Sequence, residues 1–152
     1  MLEKTPETAL QDTVHPFDRA TQVTAVDGNW RGEASQDYFA FVGPFGGATA
    51  ATMLRAILLQ PERLGDPLSV TVNFCAPVGG GGFDLAVRLM KATRSTQHWM
   101  VELVQKGEVA AFMTAVFAAR RESWSHQPAV MPDAPPFDRV KPLPNSVVAP
   151  WA

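Results

Sequence analysis

A single cysteine, Cys75, stands in the 152 residues, so the chain has no internal disulfide to form and a reducing, cytoplasmic setting is expected. No apolar run approaches the roughly 18 residues that a membrane-spanning helix needs. The N-terminus, MLEKTPETALQDTVHPFDRA, lacks the basic-then-apolar pattern of a signal peptide. Charge of one sign is missing too: 13 basic residues face 15 acidic ones. That balance argues against a protein built to bind nucleic acid or an anionic membrane surface. No second cysteine or histidine stands at metal-ligand spacing from Cys75, which argues against a zinc site. Yet 46% of residues are hydrophobic and 18% charged, too apolar for disorder over most of the length. The length suits one domain.

Proline is scarce except at the end. Seven of the 13 prolines lie in residues 128–152, where they remove any regular strand or helix. The sequence therefore divides into an N-terminal arm over 1–20, a folded domain over 21–122 and a proline-rich linker or tail over 123–152. Within the domain, Asp27-Gly28 marks a hairpin over roughly 21–35. Gly46 to Gln60 reads as a helix, ended by Pro61. Only Thr49, Thr52, Arg55 and Gln60 interrupt its apolar composition, so it is expected to be buried nearly all round. Alternation through Leu68, Val70, Val72 and Phe74 predicts a strand, with Cys75 a buried, inert thiol on its other face. Pro77 and Gly79–Gly82 then read as a turn. Further strands follow over 83–93, 97–105 and 109–119, the last apolar on both faces as if covered on both sides. Short turns between them predict a four-strand antiparallel meander.

One helix without a polar face must be wrapped by the sheet. The pattern is thus an α+β hotdog fold, an antiparallel sheet curled around one long buried central helix. A ferredoxin-like plan needs a second helix between strands, and residues 68–119 leave no room for one.

The segments FGGATAATMLRA, DPLSVTVNFCAPV, LAVRLMKATRSTQHWMVELVQKG and AAFMTAVFAARRESWSHQPAVMPDAPPF carry a resemblance. In order and spacing they resemble the N-terminal hotdog of double-hotdog acyl-CoA thioesterases, over roughly residues 20–138. The resemblance implies an acyl-CoA substrate, coenzyme A only as part of that substrate, and no other cofactor. It also implies that the chain ends in the linker to a second repeat. The family's catalytic Asp, Thr or Ser, and Gln usually belong to that repeat, so no triad maps onto this sequence.

Few residues here point to chemistry. Gly43-Pro44-Phe45-Gly46-Gly47 enters the helix, and free N–H groups there suit a developing oxyanion. Gly46, Gly47 and Thr49 are the candidate substrate contacts; close packing is the alternative reading of the glycines. No carboxylate lies between Phe45 and Gln60, where a hydrolytic base would be wanted. Asp37 before the helix and His98 in a strand are weak candidates for that role. An exposed turn acid and a structural histidine are the simpler readings. Arg94, with Arg88 and Lys91, could meet coenzyme A phosphates; a solvated hairpin end weighs equally. No G-x-S-x-G occurs, which excludes an α/β-hydrolase serine thioesterase.

The expectation is the N-terminal half of a thioester hydrolase, its base supplied from outside this chain. The alternatives are a non-catalytic acyl-CoA-binding or structural hotdog, and a hotdog dehydratase or hydratase, whose helix-entry His and Asp are not seen. Open sheet edges predict a homodimer or larger homo-oligomer.

Overall fold

A computed structural model describes residues 14–40 and 43–142. The first 13 residues of the arm and the last ten of the tail lie outside the described residues. The chain divides into two compact units, residues 1–121 and 122–152.

The first unit begins with a short helix, α1 (Pro16–Ala20), where proline takes the first position and the His15 ring accepts from the Phe17 N–H. β1 (Val23–Val26) and β2 (Asn29–Ala34) follow. Asp27 and Gly28 both have positive φ, 48° and 80°, the backbone of a tight turn whose twist matches a hairpin. A 3-10 turn over Gln36–Tyr38 leads to the long helix α2 (Gly46–Leu58). Then come β3 (Asp66–Phe74), β4 (Gly81–Ala92), β5 (Thr96–Gln105) and β6 (Glu108–Ala118).

The six strands form one antiparallel sheet in the order β1-β2-β4-β5-β6-β3. The expected four-strand meander is therefore corrected. β4, β5 and β6 do run in sequence, but β3 lies at the far edge against β6, and β4 pairs with β2. Three strand spacings, about 15 Å, separate β3 from β4, and the residues 75–80 can span at most about 20 Å. The Pro77 and glycine segment is thus a crossover along the sheet's end, where a hairpin turn was expected. It is pinned there: the Cys75 and Ala76 N–H groups both donate to the Ala110 carbonyl, at 2.8 and 3.0 Å.

α2 packs on one face of the sheet, over β1, β2, β4, β5 and β6. The core between them holds Met53, Ala56 and Ile57 from the helix against Leu85, Trp99, Val101, Leu103, Met113 and Phe117. Two sequence expectations need correction here. α2 is buried along one face only: Ala50, Ala51 and Leu54 are half-buried, and Leu58 and Leu59 are exposed. α1 covers part of the outer side, where the Arg55 guanidinium donates to the Thr21 hydroxyl at 3.0 Å. β6 is likewise covered on one face. Ala111, Met113, Ala115 and Phe117 are buried, whereas Phe112, Val116 and Ala118 are half-buried and Thr114 is exposed. Apolar content alone could not tell a surface covered within this chain from one left open.

In the second unit, residues 122–142 carry only a 3-10 turn, Phe137–Arg139, and a Trp124–His126 ring stack at 5.5 Å.

Candidate functional site

α2 starts without a cap. Phe45 in the N-cap position has no hydroxyl or carboxylate, and no side chain accepts from the first turn. The Phe45 carbonyl accepts from the Ala48 and Thr49 N–H groups, at 2.9 and 3.2 Å. The Gly46 and Gly47 N–H groups precede these bonds and have no acceptor among the described residues. Such donors, at the positive end of a 13-residue helix, suit a carbonyl oxygen that gains negative charge.

Beside this helix start opens a cleft of about 500 Å³. Pro44 and Phe45 form one side, Phe74, Cys75 and Val78 the other, with Gly46 and Thr49 between them. The walls are largely apolar, and no Asp, Glu, His, Lys or Arg lines them. Two rings flank the glycines. A Cβ on Gly46 would lie 3.1 Å from the Phe74 ring, and one on Gly47 would lie 2.5 Å from the Phe45 ring. A side chain at either position would push an exposed ring aside, Phe74 at Gly46 and Phe45 at Gly47, and glycine leaves the Gly46 backbone beside an apolar cleft.

Thr49 and Thr52 behave differently. The Thr52 hydroxyl donates back to the Ala48 carbonyl at 2.9 Å, as mid-helix threonines often do. The Thr49 side chain has no hydrogen-bond partner among the described residues, although the residue is only 4% exposed. No described side-chain oxygen is both fully enclosed and unpaired. The Thr49 hydroxyl therefore keeps access to open space. Thr49 borders the cleft and a recess of about 10 Å³, which is no larger than a single water requires. Only the cleft has room for a larger group.

Gly46 and Thr49 thus border one cleft, while Gly47 follows Gly46 in the helix and is not among the lining residues. The other candidates lie elsewhere. Asp37 sits in the 3-10 turn, paired with Arg19 at 2.6 Å. His98 is exposed on the sheet face away from α2, in register with Lys91 and Val116. Arg88 is on that same outer face, bound to Glu102 at 3.0 Å and within 3.8 Å of the Met100 sulfur. Arg94 lies in the β4–β5 turn. That is the far end of 12-residue β4, roughly 40 Å along the strand from the cleft end.

Cys75 corrects the sequence reading. It is exposed and borders the cleft, where a buried thiol was expected. The reason is the edge position of β3, which ends at Phe74 and leaves Cys75 at the start of the crossover. Among described residues no group of three or more His, Cys, Asp or Glu side chains is placed to hold a metal.

A family model for the acyl-CoA thioesterase N-terminal domain matches residues 35–118. A protein of unknown function with a hot dog fold from Alicyclobacillus acidocaldarius is 47% identical, with a TM-score of 0.83, over 91% of this chain and 51% of that one. An acyl-CoA thioesterase II from Mycobacterium marinum is 22% identical, with a TM-score of 0.66, over 88% of this chain and 54% of that one. The chain spans about half the length of both. A mutant form of a phenylacetic acid degradation protein from Thermus thermophilus is 22% identical, with a TM-score of 0.61, over 70% of this chain and 100% of that one. The last two likenesses concern the fold. No curated protein matches the chain. With more than half of its residues matched, in the order of strands and helix that encloses the cleft, the chain belongs to the acyl-CoA thioesterase N-terminal domain family.

Proposed function

We propose that this hotdog binds the acyl thioester of an acyl-CoA in the cleft at the start of α2, as one half of a thioester hydrolase. The observation that carries the reading is the uncapped helix start, with Gly46 bordering an apolar cleft that the Thr49 residue, its hydroxyl unpaired among the described residues, also lines. The acyl chain would lie along Phe45, Phe74 and Val78, and the thioester oxygen would accept from the helix start. Hydrolysis needs a base to activate water. The cleft has no carboxylate or imidazole on its walls, so the base would come from a second hotdog, either a further domain or another copy. The same observation favours a second reading, an acyl-CoA-binding module without turnover. Coenzyme A enters only as part of the ligand. Nothing within the cleft would hold its phosphates, which would extend into solvent or onto the second hotdog.

Calorimetric titration with a non-hydrolysable decanoyl-CoA thioether tests the reading, alongside chromatographic measurement of coenzyme A released from decanoyl-CoA. Saturable binding is expected, with Thr49→Val weakening it about fivefold, as the loss of one hydrogen bond near 1 kcal/mol implies. Absence of binding at millimolar ligand would reject the cleft as an acyl-CoA site. Binding without turnover would select the module over the hydrolase half.

A further inference from the structure

We infer that the cleft, on the acyl-CoA reading of it, selects a short aryl-acyl group, and that Phe45 and Phe74 set this preference. Phe45 is 61% exposed and Phe74 is 54% exposed. They line the cleft from its two sides, and each ring lies against a different glycine, Phe45 at Gly47 and Phe74 at Gly46. Neither ring pairs with another ring among the described residues. Both therefore keep apolar surface in water, and an apolar group seated between them would remove it.

Shape decides which apolar group suits. Pro44 and Pro77 join the two phenylalanines in the walls, so most of the larger lining side chains are rigid rings. No leucine, isoleucine or methionine lines the cleft among the described residues. The core is built the other way, from Met53, Ile57, Leu103 and Met113, none of them exposed. A long alkyl chain needs a channel into such a core. The recess that adjoins the cleft at Thr49 holds about 10 Å³, too little for a methylene chain. A long chain would therefore return to water, where its added methylenes gain nothing. A flat ring can offer its face to one phenylalanine and its edge to the other. An alkyl chain of the same carbon count cannot make those contacts.

The test is calorimetric titration of the whole chain with thioether analogues of phenylpropanoyl-CoA and nonanoyl-CoA, which carry equal numbers of acyl carbons. The aryl analogue is expected to bind about fivefold tighter, as ring–ring contacts beyond area burial imply. Phe45→Leu and Phe74→Leu keep an apolar side chain at exposed positions, so both variants should fold, which far-ultraviolet circular dichroism checks. Each should weaken aryl binding about threefold and leave nonanoyl binding within about twofold of wild type. The double variant should bind the two analogues equally.

Wild-type affinity for nonanoyl equal to or above that for the aryl analogue would overturn the inference and leave the acyl-CoA reading standing. An aryl preference that survives in the folded double variant would also overturn it, because the discrimination would then lie in other residues. So would a folded double variant that loses both analogues alike, since the rings would then serve any acyl chain. Saturation of the wild-type chain by neither analogue would reject the acyl-CoA reading and the aryl preference together.

Discussion

At the scale of single residues, two glycines with positive φ separate conformational strain from lack of space. Gly28 has φ +80° in the β1–β2 turn, and a Cβ there would meet nothing within 4 Å. Gly28→Ala pays only for the left-handed backbone, about 1–2 kcal/mol. Gly65 has φ +66°, and a Cβ there would lie 2.0 Å from the Ala118 carbonyl oxygen and 2.8 Å from the Ala119 nitrogen. Both contacts are backbone, at the point where the chain enters β3 beside the end of β6. Gly65→Ala should cost several kcal/mol, because strain and displacement of a paired strand add. Urea unfolding of the two variants checks this, and equal losses would contradict it. Residue-level reading of the sequence served unevenly. Asp27-Gly28 was legible as a turn because its chemistry is local. The Phe74 ring above Gly46 joins positions 28 residues apart, which no local pattern records.

Among the elements, β5 does more than fill the core. Its inward face alternates through Gln97, Trp99, Val101, Leu103 and Gln105, all buried. The two glutamines at its ends hold loops. The Gln97 Oε1 accepts from the Leu64 N–H at 2.8 Å and the Trp99 indole N–H at 3.2 Å, while its amide donates to the Glu62 carbonyl at 2.8 Å. This ties the segment after α2 to the sheet. Gln105 accepts from the Gly79 N–H at 2.7 Å and donates to the Gly79 and Gly82 carbonyls, both at 3.3 Å. It holds the crossover that carries one wall of the cleft. Gln97→Leu removes three bonds, leaves the Trp99 indole N–H buried and unpaired, and should cost about 2–4 kcal/mol. Hydrogen exchange should quicken first at the Leu64 amide. Unchanged exchange there would show that Gln97 is not what holds the loop. The alternation of β5 and the apolar content of α2 were readable because each reports one element's own periodicity. The place of β3 was not, since a hairpin and a crossover of similar length share the same proline and glycine punctuation. Cys75 was misread for the same reason.

For the whole molecule, the position of β3 decides what the chain can join. The Cys75 N–H bonds the Ala110 carbonyl, and Asn73, Thr71 and Ser69 fall on the same alternation opposite Phe112, Thr114 and Val116. Their backbone groups face β6, so those of Val70, Val72 and Phe74 face outward along an edge that no described strand pairs with. Val72 packs on the core, which places Val70 and Phe74 on the helix-bearing face of the sheet. There they remain 40% and 54% exposed, at the margin of what α2 covers. An open edge bordered by uncovered apolar side chains is an unstable thing to leave in water. A second hotdog, pairing its own edge strand with β3 and laying its helix over Val70, would satisfy both needs at once. Self-association through β3 is therefore expected. Proline discriminates it from looser association. Val70→Pro removes a donor that faces outward and leaves the β3–β6 ladder intact, whereas Thr71→Pro removes a donor that faces β6. Sedimentation should find wild type dimeric or larger and Val70→Pro monomeric with its far-ultraviolet circular dichroism retained. Thr71→Pro should instead lose about 3 kcal/mol of stability. A Val70→Pro chain that associates as tightly as wild type would rule out pairing along this edge.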